Sequence, residues 1–113
     1  MNARKKLLVN LIEAIDNIDA IVSDLNRLPW DSEVTLVTLT RADVFRILSR
    51  YLEETLTKAE VEIWANALEG REDIKYEAGY EDVLSEAIHQ LANPLLAGAL
   101  SLSSANEIIE AIR

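Results

Sequence analysis

The segment from Leu56 to Asp82, LTKAEVEIWANALEGREDIKYEAGYED, contains a helix with both of its ends written into it. Thr57 and Glu60 have the spacing of a capping box, in which hydroxyl and carboxylate each satisfy an otherwise unpaired amide of the first turn. Gly70 supplies a stop. Between them Val61, Trp64, Ala65 and Leu68 recur at i, i+3, i+4 and i+7, so one apolar stripe faces a core while Glu62, Asn66 and Glu69 face away. Only three glycines and two prolines interrupt 113 residues, which favours a few longish helices over many short strands. That length holds one modest core and not two. The expectation is a single all-α domain over residues 1–113.

From Ala3 to Leu28 the apolar residues Leu8, Leu11, Ile15, Ile18, Val22 and Leu25 alternate steps of three and four, the pattern of one continuous helix with a narrow seam. Leu7, Ile12 and Ile21 widen the seam toward burial in a bundle; a homodimer through the same six residues is the alternative. Pro29 breaks the helix, and Trp30 reads as a lid over the bundle end. Val34 to Leu39 is β-branched but has no evident strand partner, so an extended connector is expected. Thr40 and Asp43 resemble a cap for a helix carrying Val44, Ile47, Leu48, Tyr51 and Leu52. A later helix buries Val83, Leu84, Ala87, Ile88 and Leu91 and ends at Asn93-Pro94. Leu95, Leu96, Leu100 and Leu102 read as a packed loop. Ser104 with Glu107 has capping-box spacing for a last helix that buries Ile108, Ile109 and Ile112. The predicted architecture is a compact bundle of about five helices, roughly 3–28, 41–55, 58–69, 80–92 and 104–112.

The formal charge is −9, and it is unevenly placed: between Glu53 and Glu86 stand eleven acidic residues against three basic ones. Such a field repels nucleic-acid phosphate and anionic lipid and steers a basic partner. The same acids also read as a solvated face that confers solubility. With no cysteine there is neither disulfide nor thiolate metal site. Glu13 and Asp16 interrupt the apolar run after Arg4, Lys5 and Lys6 too early for a signal peptide. A cytoplasmic location, with no membrane partner, is expected.

After Gly70 the chain combines Glu72, Asp73, Glu77, Glu81 and Asp82 with Tyr76 and Tyr80. Tyrosine is a rigid amphipathic anchor enriched at interface hot spots, and carboxylates around it would read a basic protein surface. The predicted partner-binding set is therefore Glu69, Glu72, Asp73, Tyr76, Glu77, Tyr80, Glu81 and Asp82; the alternative is that both rings close the bundle end. The single histidine, His89, follows Glu86 by three residues, half of the motif used in di-iron bundles. One copy on a face claimed by Ala87 and Ile88 is not a metal site. No nucleophile elbow, phosphate loop or dinucleotide fingerprint is present. The expectation is a non-enzymatic protein with no catalytic, cofactor-binding or metal-binding residues.

The strings LTRADV, RYLEETLTKAEVEIWANALEGREDI and HQLANP, from Leu39 onward to Pro94, resemble a family of small acidic helical bacterial proteins of uncharacterised activity. The resemblance spans about half of the chain. In size, charge and helical character the chain is also similar to bacterial immunity proteins, although the DNase-colicin immunity motif is absent. What that likeness implies is an inhibitor of a toxin, with no residue assigned by it.

Overall fold

The computed structural model describes residues 3–13, 18–27, 37–71 and 74–113. Among these run α1 (Ala3–Glu13), α2 (Ile18–Asn26), β1 (Val37–Leu39), α3 (Arg41–Leu52), α4 (Lys58–Leu68), β2 (Ile74–Tyr76), α5 (Glu81–Ala92), α6 (Pro94–Ala97) and α7 (Leu102–Ile112). The predicted helical bundle is therefore the fold, with seven helices rather than five among the described residues. None of these helices is long and apolar enough to cross a membrane.

The core is centred on α4, whose Trp64, Val61, Ala65 and Leu68 are all buried, as the stripe requires. Helix α4 packs mainly against α5, α3 against α7, and α1 against α2. The Trp64 indole Nε1 donates a 2.7 Å hydrogen bond to the carbonyl oxygen of Leu11. Leu11 lies in the last turn of α1 as described, Ala3–Glu13. The neighbouring Ile12 carbonyl accepts from Arg46 Nη2 at 3.5 Å, so side chains of α3 and α4 both bond backbone carbonyls of α1.

Two helices that pack on each other replace the continuous helix expected over 3–28. A 26-residue helix would be about 39 Å long, as long as the whole molecule, whose largest extent is 38 Å. Split into two, both apolar stretches reach the core. Leu8, Leu11, Ile18 and Leu25 of the heptad are buried within the single chain, and Val22 is half-buried. Ile15 lies outside the described residues, as do the Pro29–Trp30 break and the lid role assigned to Trp30.

Two starts conform to the sequence. Thr40 and Asp43 form a reciprocal capping box on α3, and Thr57 and Glu60 form another on α4, with bonds of 2.9 and 3.1 Å. The box on the last helix is shifted: Ser101 pairs with Ser104, at 2.8 and 3.1 Å, in place of Ser104 with Glu107. Both pairs have the same spacing. The earlier start gains almost a turn and brings Ala105 into the buried stripe with Ile108, Ile109 and Ile112.

Leu39 is no end of a lone connector either. Strand β1 pairs in parallel with β2, Val37 opposite Ile74, Thr38 opposite Lys75 and Leu39 opposite Tyr76. Parallel strands need a long crossover, and the α3–α4 hairpin provides it. The turn between those helices is a Schellman motif, with Thr55 N–H bonded to Arg50 O at 2.8 Å and Glu54 N–H to Tyr51 O at 3.0 Å. Glu54 occupies its left-handed position at φ 65°.

Candidate functional site

The short sheet delivers the acidic tyrosine segment to one end of α3. The Glu77 amide continues the ladder by donating to Leu39 O at 2.9 Å, which aims the Glu77 side chain at the first residue of α3. There Glu77 Oε1 accepts from the Arg41 backbone N–H at 3.0 Å and from Arg41 Nε at 3.2 Å, while Oε2 accepts from Nη2 at 3.2 Å. The carboxylate thus caps a helix N-terminus and pairs with a guanidinium at once, a fork geometry for which arginine is suited. These Arg41 hydrogen bonds, side chain first and backbone second, hold the Glu77 carboxyl below the usual carboxylate range, against a smaller opposing effect of burial. The bond to Glu77 likewise raises the Arg41 pKa.

Arg41 also lies over the Tyr80 ring, 3.6 Å from its centroid, a cation–π contact. A tight turn through Gly79, at φ +88°, carries the chain from Glu77 to Tyr80, with Tyr80 N–H bonded to Glu77 O at 3.0 Å. Gly79 N–H donates to Glu81 Oε1 at 2.9 Å. Glu81 and Asp82 are exposed in the first turn of α5, where carboxylates offset the positive end of the helix dipole. Glu77, Tyr80, Glu81 and Asp82 therefore form one group, organised by a cation that sequence reasoning missed. Arg41 stands 36 residues before Glu77 and carries no local signal.

Glu69 belongs to a different group. At the end of α4 its carboxylate meets His89 Nδ1 at 2.6 Å and accepts from Asn93 Nδ2 at 3.1 and 3.4 Å. Asn93 Nδ2 also donates to the His89 carbonyl at 2.8 Å. The partner of His89 is thus Glu69 rather than Glu86, which accepts from Gln90. Tyr76 is half-buried against the core; burial raises its phenol pKa, and the Glu69 charge adds to that effect. Glu72 and Asp73 lie outside the described residues. Among the described residues no three acidic or histidine side chains cluster in a way that could hold a metal ion.

The predicted set therefore separates by availability. Glu69 and Glu77 are engaged within the chain, and Tyr76 is partly sunk in the core. Tyr80, Glu81 and Asp82 face solvent. Searches of protein-family models, of curated proteins and of solved structures return no match for this chain.

Proposed function

We propose that this protein is a non-enzymatic, cytoplasmic interaction module that binds a basic protein partner through the acidic, tyrosine-bearing end of α5, with toxin immunity as its most concrete form. The observation that carries this reading is the braced Tyr80. Its ring is held against Arg41, Arg41 is fixed by three hydrogen bonds to Glu77, and two exposed carboxylates follow it directly. A pre-positioned aromatic loses little rotamer freedom on binding, which is what a hot-spot anchor requires. Glu81 and Asp82, with Glu72 and Asp73 from the same acidic stretch, supply the charge that draws a cationic surface. Glu77 supports that end of the molecule through its bonds to Arg41, while Glu69 is engaged with His89 and Asn93 at the other end of α5 and Tyr76 is half-buried against the core.

The reading is tested by affinity capture from the native host with the wild type beside a Tyr80→Ala/Glu81→Lys/Asp82→Lys variant of verified fold. The expected result is a basic protein retained by the wild type alone, its capture weakening as salt is raised. Equal capture by both proteins, or a captured partner that is itself acidic, would refute this site.

A further inference from the structure

Between Ala87 and Asn106 the chain has no aspartate, glutamate, lysine or arginine for twenty positions, although these make up 27% of the whole sequence. The expectation of a packed loop holds for Leu100, which is half-buried against the core, and is overturned for its other three leucines. Leu95 is 100% exposed, Leu96 80% and Leu102 62%. The segment is nonetheless well held. Gly98 N–H closes α6 onto Pro94 O at 2.8 Å, and the Leu100 carbonyl accepts from the Tyr51 hydroxyl at 3.4 Å. Ser101 caps α7. Beside these leucines opens a cavity of about 230 Å³ between α4, α5, α6 and α7, with Val61, Leu91, Pro94, Leu100 and Ile108 in its walls. For scale, an engineered apolar cavity of about 150 Å³ takes up benzene.

We infer that this face is the two-fold interface of a homodimer, in which Leu95 and Leu96 of each copy enter the cavity of the other. Three observations select a second copy as the occupant. The first is shape: a two-fold contact requires one patch to hold both the projection and the recess. Here Pro94 in the cavity wall immediately precedes the two projecting leucines, and Leu102 stands between Leu100 and Ser104, which both line the recess. The second is charge: the charged residues lining the cavity are one cation, Lys58, and one anion, Glu62. That rim is neutral and complements itself when a two-fold axis sets Lys58 of one copy against Glu62 of the other. A basic protein would find no net attraction there, and a chain of charge −9 meets its own copy with least repulsion on its uncharged stretch. The third is composition: three large apolar side chains exposed within a stretch free of aspartate, glutamate, lysine and arginine, flanking an apolar recess, mark an association surface rather than an ordinary wet one.

This inference does not rest on the acidic face proposed above, and each can fail alone. It also differs from a dimer through the heptad of the first helices, since Leu8, Leu11, Ile18 and Leu25 are already covered within one chain.

The experiment is sedimentation equilibrium of the intact protein from about 1 µM to about 1 mM, a range that spans weak to moderate association. The weight-average mass should rise from 12.7 kDa toward twice that value and stop there. Added salt should strengthen the dimer, because it screens the mutual repulsion of two acidic chains. Leu95→Glu/Leu96→Glu should weaken the dimer by about 100-fold or more with an unchanged circular dichroism spectrum, since both side chains are solvated in the monomer. Leu102→Lys is an independent variant expected to weaken it in the same direction. A mass that stays at 12.7 kDa throughout would overturn the inference and leave the patch to a heterologous protein or a lipid surface. A dimer unaffected by the leucine variants, or growth past the dimer, would overturn it equally.

Discussion

Replacing Trp64 with Phe probes whether the core is organised as described. The side chain is fully buried, and its Nε1 is bonded to the Leu11 carbonyl from a distance of 53 residues in sequence. Phenyl lacks two carbons and the nitrogen of indole. The two carbons are worth about 1.6 kcal/mol at about 0.8 kcal/mol per buried carbon. The Leu11 carbonyl, left without the indole N–H, adds about 1–3 kcal/mol. The expected loss is therefore about 2.5–4.5 kcal/mol, a large share of the roughly 5–15 kcal/mol available to a domain of this kind. It corresponds to a fall in Tm of about 12 °C or more. Urea unfolding followed by far-UV circular dichroism measures it, with Ile88→Val as the comparison. Ile88 is equally buried but loses only a methyl group, for about 0.5–1.5 kcal/mol. If Trp64→Phe costs no more than Ile88→Val, the indole is filling space and does not hold α1 to α4.

Two further substitutions test local features. Glu54→Gly relieves a left-handed residue at the end of α3 and should stabilise by about 0.5–1 kcal/mol, the strain relieved exceeding the added freedom of the unfolded chain; a lower Tm would show that the Glu54 side chain contributes more than its backbone costs. Glu77→Gln tests the Arg41 cap through pH. Because Arg41 lowers the Glu77 pKa in the fold, the stability due to that charge is complete above the ordinary carboxylate value of about 4.3 and is lost as pH falls through the lowered folded value. The wild type should therefore exceed the variant in Tm at neutral pH and converge with it in acid. A gap independent of pH would assign the contribution to shape and not to charge.

The parts of the fold that the sequence declares are those governed by neighbours three or four residues apart. Thr57 with Glu60 and Thr40 with Asp43 start their helices as their spacing requires, and Gly70 stands past the end of α4 at φ +78°. Local rules are degenerate where two matches compete, and Ser101–Ser104 displaced Ser104–Glu107 for that reason. The β1–β2 pair was illegible because neither three-residue strand has a periodicity of its own, and the register joining Leu39 to Tyr76 exists only after α3 and α4 have folded between them. The same dependence hid the site. Glu77 reads as a free acid in sequence, and it becomes a cap and an ion-pair partner only when the sheet sets it beside Arg41.

Leu95, Leu96 and Leu102 mark a different limit, because hydropathy states that a side chain gains by leaving water and does not state what will cover it. Pro94 starts the short α6, and the two leucines that follow it are exposed. The Ser101 cap places Leu102 in the exposed first turn of α7, because the buried stripe that begins at Ala105 sets the rotation of that helix. Both constraints come from backbone chemistry and outrank the tendency of three leucines to be buried. Leu95, Leu96 and Leu102 thus stay in water in the single chain, on the face inferred above to meet a second copy.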